Sequence, residues 1–331
     1  MKKVLVILVI ATATINVYSQ NIYVPDNVFE GELIDLGLDD VMDDSVFSGR
    51  IDTVLALHLN ALVIESLEGI EGFLALEFLE CKNNILTELD VSSNTNLKFL
   101  SCELNYLTDL NIEGIEELEV LYCDDNELTS LDLTEHTQLE YLLCGRNPLT
   151  DLDLSANDSL IYLEFRIVPS IIEMDLSDKP NLREVYCDYN ENLIYLNLAN
   201  GMPDSFDILH AEETPNLTCI EVDDPVISET DWINYFTETK TFSIFCGLSL
   251  TEVNAEVLVR IYPNPSYNYV NIAVNNNSLN YKLLDLTGKL MDHGKLTTGE
   301  NRIKVREFNT GVYFLQVDGP EHHSTHKTII K

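Results

Sequence analysis

Seven cysteines invite a chemical reading of the sequence first. Cys81, Cys102, Cys123 and Cys144 recur every 21 residues, and Cys187 resumes the series after Phe165 takes the intervening place. Stacked thiols can bind metal or carry redox chemistry when an electropositive setting makes them thiolates. No histidine accompanies this series, and any regular coil stacks its equivalent side chains whatever its function. The series therefore predicts buried thiols acting as small apolar fillers. Two other clusters qualify for metal. Asp39, Asp40, Asp43 and Asp44 lack the alternating loop spacing and glycine of a calcium loop and read as a solvated edge. His322, His323 and His326 read as a polar loop before the last strand. His58, His136 and His210 share no register, and neither a Ser-His-Asp set nor an H-E-x-x-H helix is present. No catalytic residue, metal ligand or cofactor is assigned, so the chain reads as a non-enzyme.

The elements holding these residues follow from the same 21-residue beat. Three positions beyond the cysteines stand Asn84, Asn105, Asn126, Asn147 and Asn190, with Val168 in the one irregular place. Leu76 and Leu79 recur as Leu97 and Leu100, Leu118 and Leu121, Leu139 and Leu142, and Leu160 and Leu163. A second apolar set, from Leu86, Leu89 and Val91 to Leu193, Leu196 and Leu198, runs behind them. Alternation across Leu79, Glu80 and Cys81 predicts a short strand in each coil. Successive strands would pair in parallel at about 4.8 Å. At least six coils run from Leu76 to Leu198, preceded by a less regular one. The irregular Phe165, Val168 and an extra residue near Ser170 predict a bulge or twist over 165–172.

This register also defines the side chains on the open face. One column reads Phe78, Phe99, Val120, Tyr141, Tyr162, Glu184; the next reads Glu80, Ser101, Tyr122, Leu143, Glu164, Tyr186; the third reads Lys82, Glu103, Asp124, Gly145, Arg166, Asp188. Phe78, Phe99, Tyr122, Tyr141, Tyr162, Glu164 and Tyr186 are the candidate ligand-binding residues of a concave aromatic and acidic surface. Protein and carbohydrate ligands both suit rings flanked by carboxylates. The alternative is a structural or spacer protein whose rings merely suit strands. A glycosidase needs two carboxylates about 5–9 Å apart, and Glu80 and Glu164 stand four coils from each other.

Charge and the chain ends bound the setting. The 331 residues carry 56 acidic and 19 basic side chains; residues 1–251 hold 48 and 10, residues 252–331 hold 8 and 9. Such a surface excludes nucleic acid as a default partner and disfavours anionic membrane. Lys2, Lys3 and the apolar run Val4 to Ile15 read as a signal peptide ending near Gln20, and no later run reaches transmembrane length. A capped helix from Asp26 to Gly37, with Phe29, Leu33, Ile34 and Leu36 apolar, would lid the first coil. At the far end Cys219 and Cys246 break the beat around Trp232, Phe236 and Phe242. They are expected to be disulfide-bonded, the alternative being two more buried thiols.

The Leu-x-x-Leu-x-Cys-x-x-Asn-x-Leu coils resemble short leucine-rich repeats. With Tyr23-Val24-Pro25-Asp26, the run Leu36 to Val41 and Leu217 to Asp224, they look like secreted leucine-rich repeat proteins of Bacteroidota. Tyr262, Pro263, Asn264, Pro265, Gly288, Gly311 and Tyr313 lie in stretches similar to the type A sorting domain of the type IX secretion system. The resemblance implies a leucine-rich repeat solenoid followed by a small Ig-like β-sandwich. It further implies the secretion translocon and sorting machinery as partners, and a product secreted or attached to the outer surface of a Gram-negative bacterium. The expected divisions are signal peptide 1–19, helical cap 20–54, repeats 55–215, closing cap 216–250, linker 251–256 and sorting domain 257–331.

Overall fold

The computed structural model describes residues 20–201, 207–225, 240–243, 246, 259–262, 266, 269–274, 279–320 and 322–330. The signal peptide, the linker, Trp232, Phe236 and Pro263 to Pro265 lie outside them.

Each coil begins with a three-residue strand whose middle residue is apolar and buried, because alternation turns it inward. Eight such strands form one parallel sheet in chain order. They are Ala56–His58, Phe78–Glu80, Phe99–Ser101, Val120–Tyr122, Tyr141–Leu143, Tyr162–Glu164, Glu184–Tyr186 and Ile208–His210. The last strand lies within the expected repeat span 55–215 but beyond the six coils counted to Leu198. Its coil keeps the leucine beat but puts Ala211 and Thr214 in the cysteine and asparagine places, and Thr214 Oγ1 bonds Ala211 O at 2.7 Å.

Leaving the strand, the chain turns sharply through a left-handed residue. Asn83, Leu104, Asp125, Arg146, Ile167, Tyr189 and Glu213 all have φ between 51° and 61°, a region unfavourable for side chains other than glycine. The next residue holds the turn. Asn126 Nδ2 donates to Cys102 O at 3.0 Å and Cys123 O at 3.1 Å, while its Oδ1 accepts from Leu107 N at 2.9 Å. Asn105 and Asn147 repeat the pattern one coil either way. One buried side chain thus satisfies carbonyls of two coils and an amide of the first.

Behind this turn Leu86, Leu107, Leu128 and Leu149 join Leu79, Leu100, Leu121 and Leu142 in one continuous core. Cys81, Cys102, Cys123, Cys144 and Cys187 are free and buried within it. Burial pushes all five thiols well up, so they stay protonated. Phe165 and Val168 are fully buried too. The expected bulge over 165–172 is not on the front, where Tyr162–Glu164 keeps register with Glu184–Tyr186. It is the back that breaks. A two-stranded sheet, Glu88–Asp90 with Asp109–Asn111, gives way to coils without a back strand. A four-stranded sheet then starts at Glu173–Asp175 and continues through Tyr195–Asn197, Cys219–Glu221 and Thr241–Ser243.

Both ends are tied down. The helix Asn27–Asp35 is capped by Asp26, whose Oδ1 accepts from Val28 N and Phe29 N and whose Oδ2 accepts from Glu65 N and Ser66 N of the first coil. Phe29 and Leu33 are buried, whereas Leu36, expected on the apolar face, is half exposed as the C-cap. Asp39 and Asp40 pair with Arg50. At the other end Cys219 and Cys246 form a disulfide with Cα atoms 5.6 Å apart. Closing a loop between cysteines 27 residues apart stabilises by about 3–4 kcal/mol in the loop-entropy model.

The C-terminal residues form a three-stranded antiparallel sheet and a four-stranded one sharing a core of Val270, Ile272, Leu283, Ile303, Leu315 and Val317. The three histidines are not in a loop. They lie on the strand His322–Ile330, paired along its length with Gly311–Gly319. Ser324 Oγ sits 2.8 Å from His322 Nε2 and 2.9 Å from His326 Nε2, while His323 bonds Asp318.

Replacing Asn126 by valine removes two donors and an acceptor from buried backbone groups while nearly keeping the volume. With three groups orphaned at about 1–3 kcal/mol each, we expect a loss of at least about 3 kcal/mol in urea unfolding, with circular dichroism at zero urea unchanged.

Candidate functional site

The open face of the eight-stranded sheet brings the candidate residues together in the expected columns. Phe78, Phe99, Val120, Tyr141, Tyr162 and Glu184 are register partners in that order, as are Glu80, Ser101, Tyr122, Leu143, Glu164 and Tyr186. The rings touch. Phe78 and Phe99 stack at 4.2 Å with planes 9° apart, and Phe99 meets Tyr122 edge-on at 5.5 Å. Tyr141 and Tyr162 lie 6.2 Å apart, and Tyr162 and Tyr186 5.1 Å. Because each ring leans on the next, they are half-buried, and Ser101, expected on the surface, is buried.

Two histidines extend this surface, contrary to the sequence reading. His58 and His210 occupy one column, as partners of Glu80 and Tyr186. His58 lies 5.2 Å from the Phe78 ring and 2.8 Å from Glu80 Oε2; His210 stacks on Tyr186 at 4.9 Å. The face therefore carries two aromatic arms, His58 to Tyr122 and Tyr141 to His210. Their common register was hidden because the first and last coils lack the cysteine that sets the beat.

His136 belongs elsewhere. With Asn94, Asn157, Lys179 and Asn200 it forms a second buried column at the opposite turn, polar except at Ile115, which the leucine and cysteine spacing did not reveal. Its Nε2 lies 3.2 Å from Ile112 O, and burial lowers its pKa. Asn94 and Asn157 each donate to two carbonyls of the preceding coil. Lys179 Nζ is held 3.0 Å from Asp178 and 3.5 Å from Asp158.

Electrostatics divide the face. Tyr162 Oη donates to Glu164 Oε2 at 3.3 Å and Tyr186 Oη to Glu184 Oε2 at 3.1 Å. Burial and these carboxylates raise both phenols, so they remain donors. Arg166 reaches Asp188 at 2.8 Å and Glu164 at 3.5 Å, and its guanidinium lies over the Tyr186 ring. Burial, then Glu103 and Glu164, push the Asp124 carboxyl up to about 6 from an ordinary 3.8. Among the described residues no group of three His, Cys, Asp or Glu is placed to hold a metal ion.

Residues 260–331 match the family model of the secretion system C-terminal sorting domain. This segment is a sorting domain. Gly288 takes φ 81° in the turn where Asp285 Oδ1 accepts from Thr287 N and Lys289 N; Gly311 opens a strand, and buried Tyr313 bonds Asn309 O at 2.8 Å. For the coils, the functional domain of InlJ from Listeria monocytogenes, described as including a cysteine ladder, is similar at 27% identity and TM-score 0.51. The match covers 62% of this chain and 52% of that one, so the chain spans about half the length of that structure. Internalin C2 of the same species aligns at 19% identity and TM-score 0.38, over 68% and 99% of the two chains. None of the curated proteins matches the chain. The solenoid is thus a parallel fold related to leucine-rich repeat and internalin structures, with its own column of free thiols.

A carboxyl raised by folding destabilises the protein wherever it must ionise. For Asp124 the penalty is complete above pH 6, shrinks as pH falls toward 4 and vanishes below the unfolded value. Asp124→Asn is expected to be more stable by about 1–2 kcal/mol at pH 7.5, after allowance for solvent screening. The advantage should disappear near pH 4 in paired thermal melts.

Proposed function

We propose that the chain is an exported recognition or adhesion protein of a Bacteroidota cell, whose concave sheet engages a protein or glycan ligand. In this reading residues 1–19 are removed on export, residues 20–54 and 216–250 cap the repeats 55–215, and a short linker at 251–256 leads to an Ig-like sandwich, 257–331. That sandwich, through Tyr262, Pro263, Asn264, Pro265, Gly288, Gly311 and Tyr313, addresses the type IX translocon. The product is then held on the outer surface or released.

The observation that carries the reading is the column of Phe78, Phe99, Tyr141 and Tyr162 in consecutive register positions, interrupted only by Val120. Rings fixed against each other present wide, rigid contact area with little rotamer entropy left to lose. Tyr122, Glu164 and Tyr186 add polar handles beside them. One observation favours the spacer alternative: the rings already bury much of their area on one another. Purified protein on a glycan array and on host or neighbouring bacterial cells separates the two. Saturable binding that falls at least tenfold in Tyr141→Ala/Tyr162→Ala, with an unchanged circular dichroism spectrum, is the expected result. Absence of binding to every surface would favour the spacer.

A further inference from the structure

At the centre of the concave sheet one carboxylate sits where the protein supplies no positive charge. Its neighbours are all partnered. Glu103 lies 3.4 Å from Lys82 Nζ and accepts from Ser101 Oγ at 2.6 Å. Asp188 accepts from Arg166 Nε and from Glu212 N, both at 2.8 Å. Glu164 takes Arg166 and Tyr162. Asp124 lies half-buried between them, and among the described residues no cation pairs with it. Arg166, two coils on in the same column, is drawn away toward Asp188 and lies 4.8 Å from the Tyr186 ring centroid.

The place beside Asp124 in the next coil is empty for a structural reason. A Cβ on Gly145 would come within 2.7 Å of Arg166 O and 2.9 Å of Arg166 N, so only glycine fits. The consequence is a notch in the third column, with Tyr122 and Leu143 in the column alongside and Tyr141 one column further. Here too the phenols differ from their neighbours. Tyr162 and Tyr186 spend their hydroxyls on Glu164 and Glu184. The Tyr122 and Tyr141 hydroxyls bond no described residue.

On this basis, and resting on the concave sheet being a binding face, we infer that the Asp124–Gly145 notch receives a basic side chain, lysine or arginine, projected by a protein ligand. Asp124 is its counter-ion, and the ring of Tyr122, in the adjoining column of the same strand, flanks its stem, as aromatic faces do for cations. A neutral sugar would leave a desolvated carboxylate without compensation, whereas a cation removes the mutual repulsion of Glu103, Asp124 and Glu164. The 48 acidic against 10 basic side chains of residues 1–251 complement such a partner at long range.

The test is titration of the full chain with a hexalysine peptide at about 0.15 M salt, where general attraction is screened beyond about 8 Å. Asp124→Asn is compared with Glu173→Gln, an exposed carboxylate on the back sheet. The expected result is a loss of affinity of about tenfold in Asp124→Asn, equivalent to about 1.4 kcal/mol, and less than about twofold in Glu173→Gln. Equal weakening in both, or none in Asp124→Asn, overturns the inference, since the peptide would then be reading only the general field. If that happens while glycan or cell binding still depends on Tyr141 and Tyr162, the face survives as a binding surface without a cation notch. If Tyr141→Ala/Tyr162→Ala also changes nothing, both readings fall together.

Discussion

The solenoid depends on how a buried polar side chain closes each turn. A strand that ends after three residues must reverse direction, and here it does so through one residue in the left-handed region. That conformation is costly for leucine, isoleucine, arginine or tyrosine, and the reversal leaves backbone carbonyls pointing into the core. Asparagine resolves both difficulties. Its amide reaches carbonyls of its own coil and the one before, and its oxygen takes an amide of the earlier coil. Each turn is therefore fixed by its neighbour, which is why coil spacing varies so little and why the thiols stack whether or not anything uses them.

The face inherits its geometry from this constraint. Strands held in strict register place equivalent side chains about 4.8 Å apart, close enough for rings to stack and for carboxylates to repel one another. The protein relieves most of that repulsion with Lys82, Arg166 and the tyrosine hydroxyls. It leaves Asp124 unrelieved, at a cost to stability. A site that weakens the fold is the kind of feature recognition tends to leave behind, whereas the back-strand carboxylates Glu88 and Glu173 are exposed to solvent.

Much of this was legible in the sequence because the front of each coil is written in repeated residues. Cys123 with Asn126 fixes the register of Tyr122 and Asp124 without any coordinates. What escaped notice lies where the fold uses different residues for one task. Ala211 and Thr214 stand in for cysteine and asparagine, so the register of the last strand, and with it the place of His210, was hidden. The opposite turn uses asparagine, histidine or lysine, so Asn94, His136 and Lys179 present no common letter. Apolar spacing near Phe165 foretold an irregularity, but not that the front sheet would hold while the back sheet broke. The polar run at His322 looked like a loop, yet one-sided burial suffices for an edge strand.

Native-state hydrogen exchange read at single amides tests the central constraint most directly. The amides of Leu86, Leu107 and Leu128 donate to asparagine oxygens at the turn, whereas residues 130–132 and 151–153 lie on the back where strand pairing is interrupted. If the asparagine turns hold the coils, the three leucine amides exchange only through global unfolding, at least about tenfold more slowly than the back-side amides. Faster exchange at the leucine amides than along the back would contradict the account.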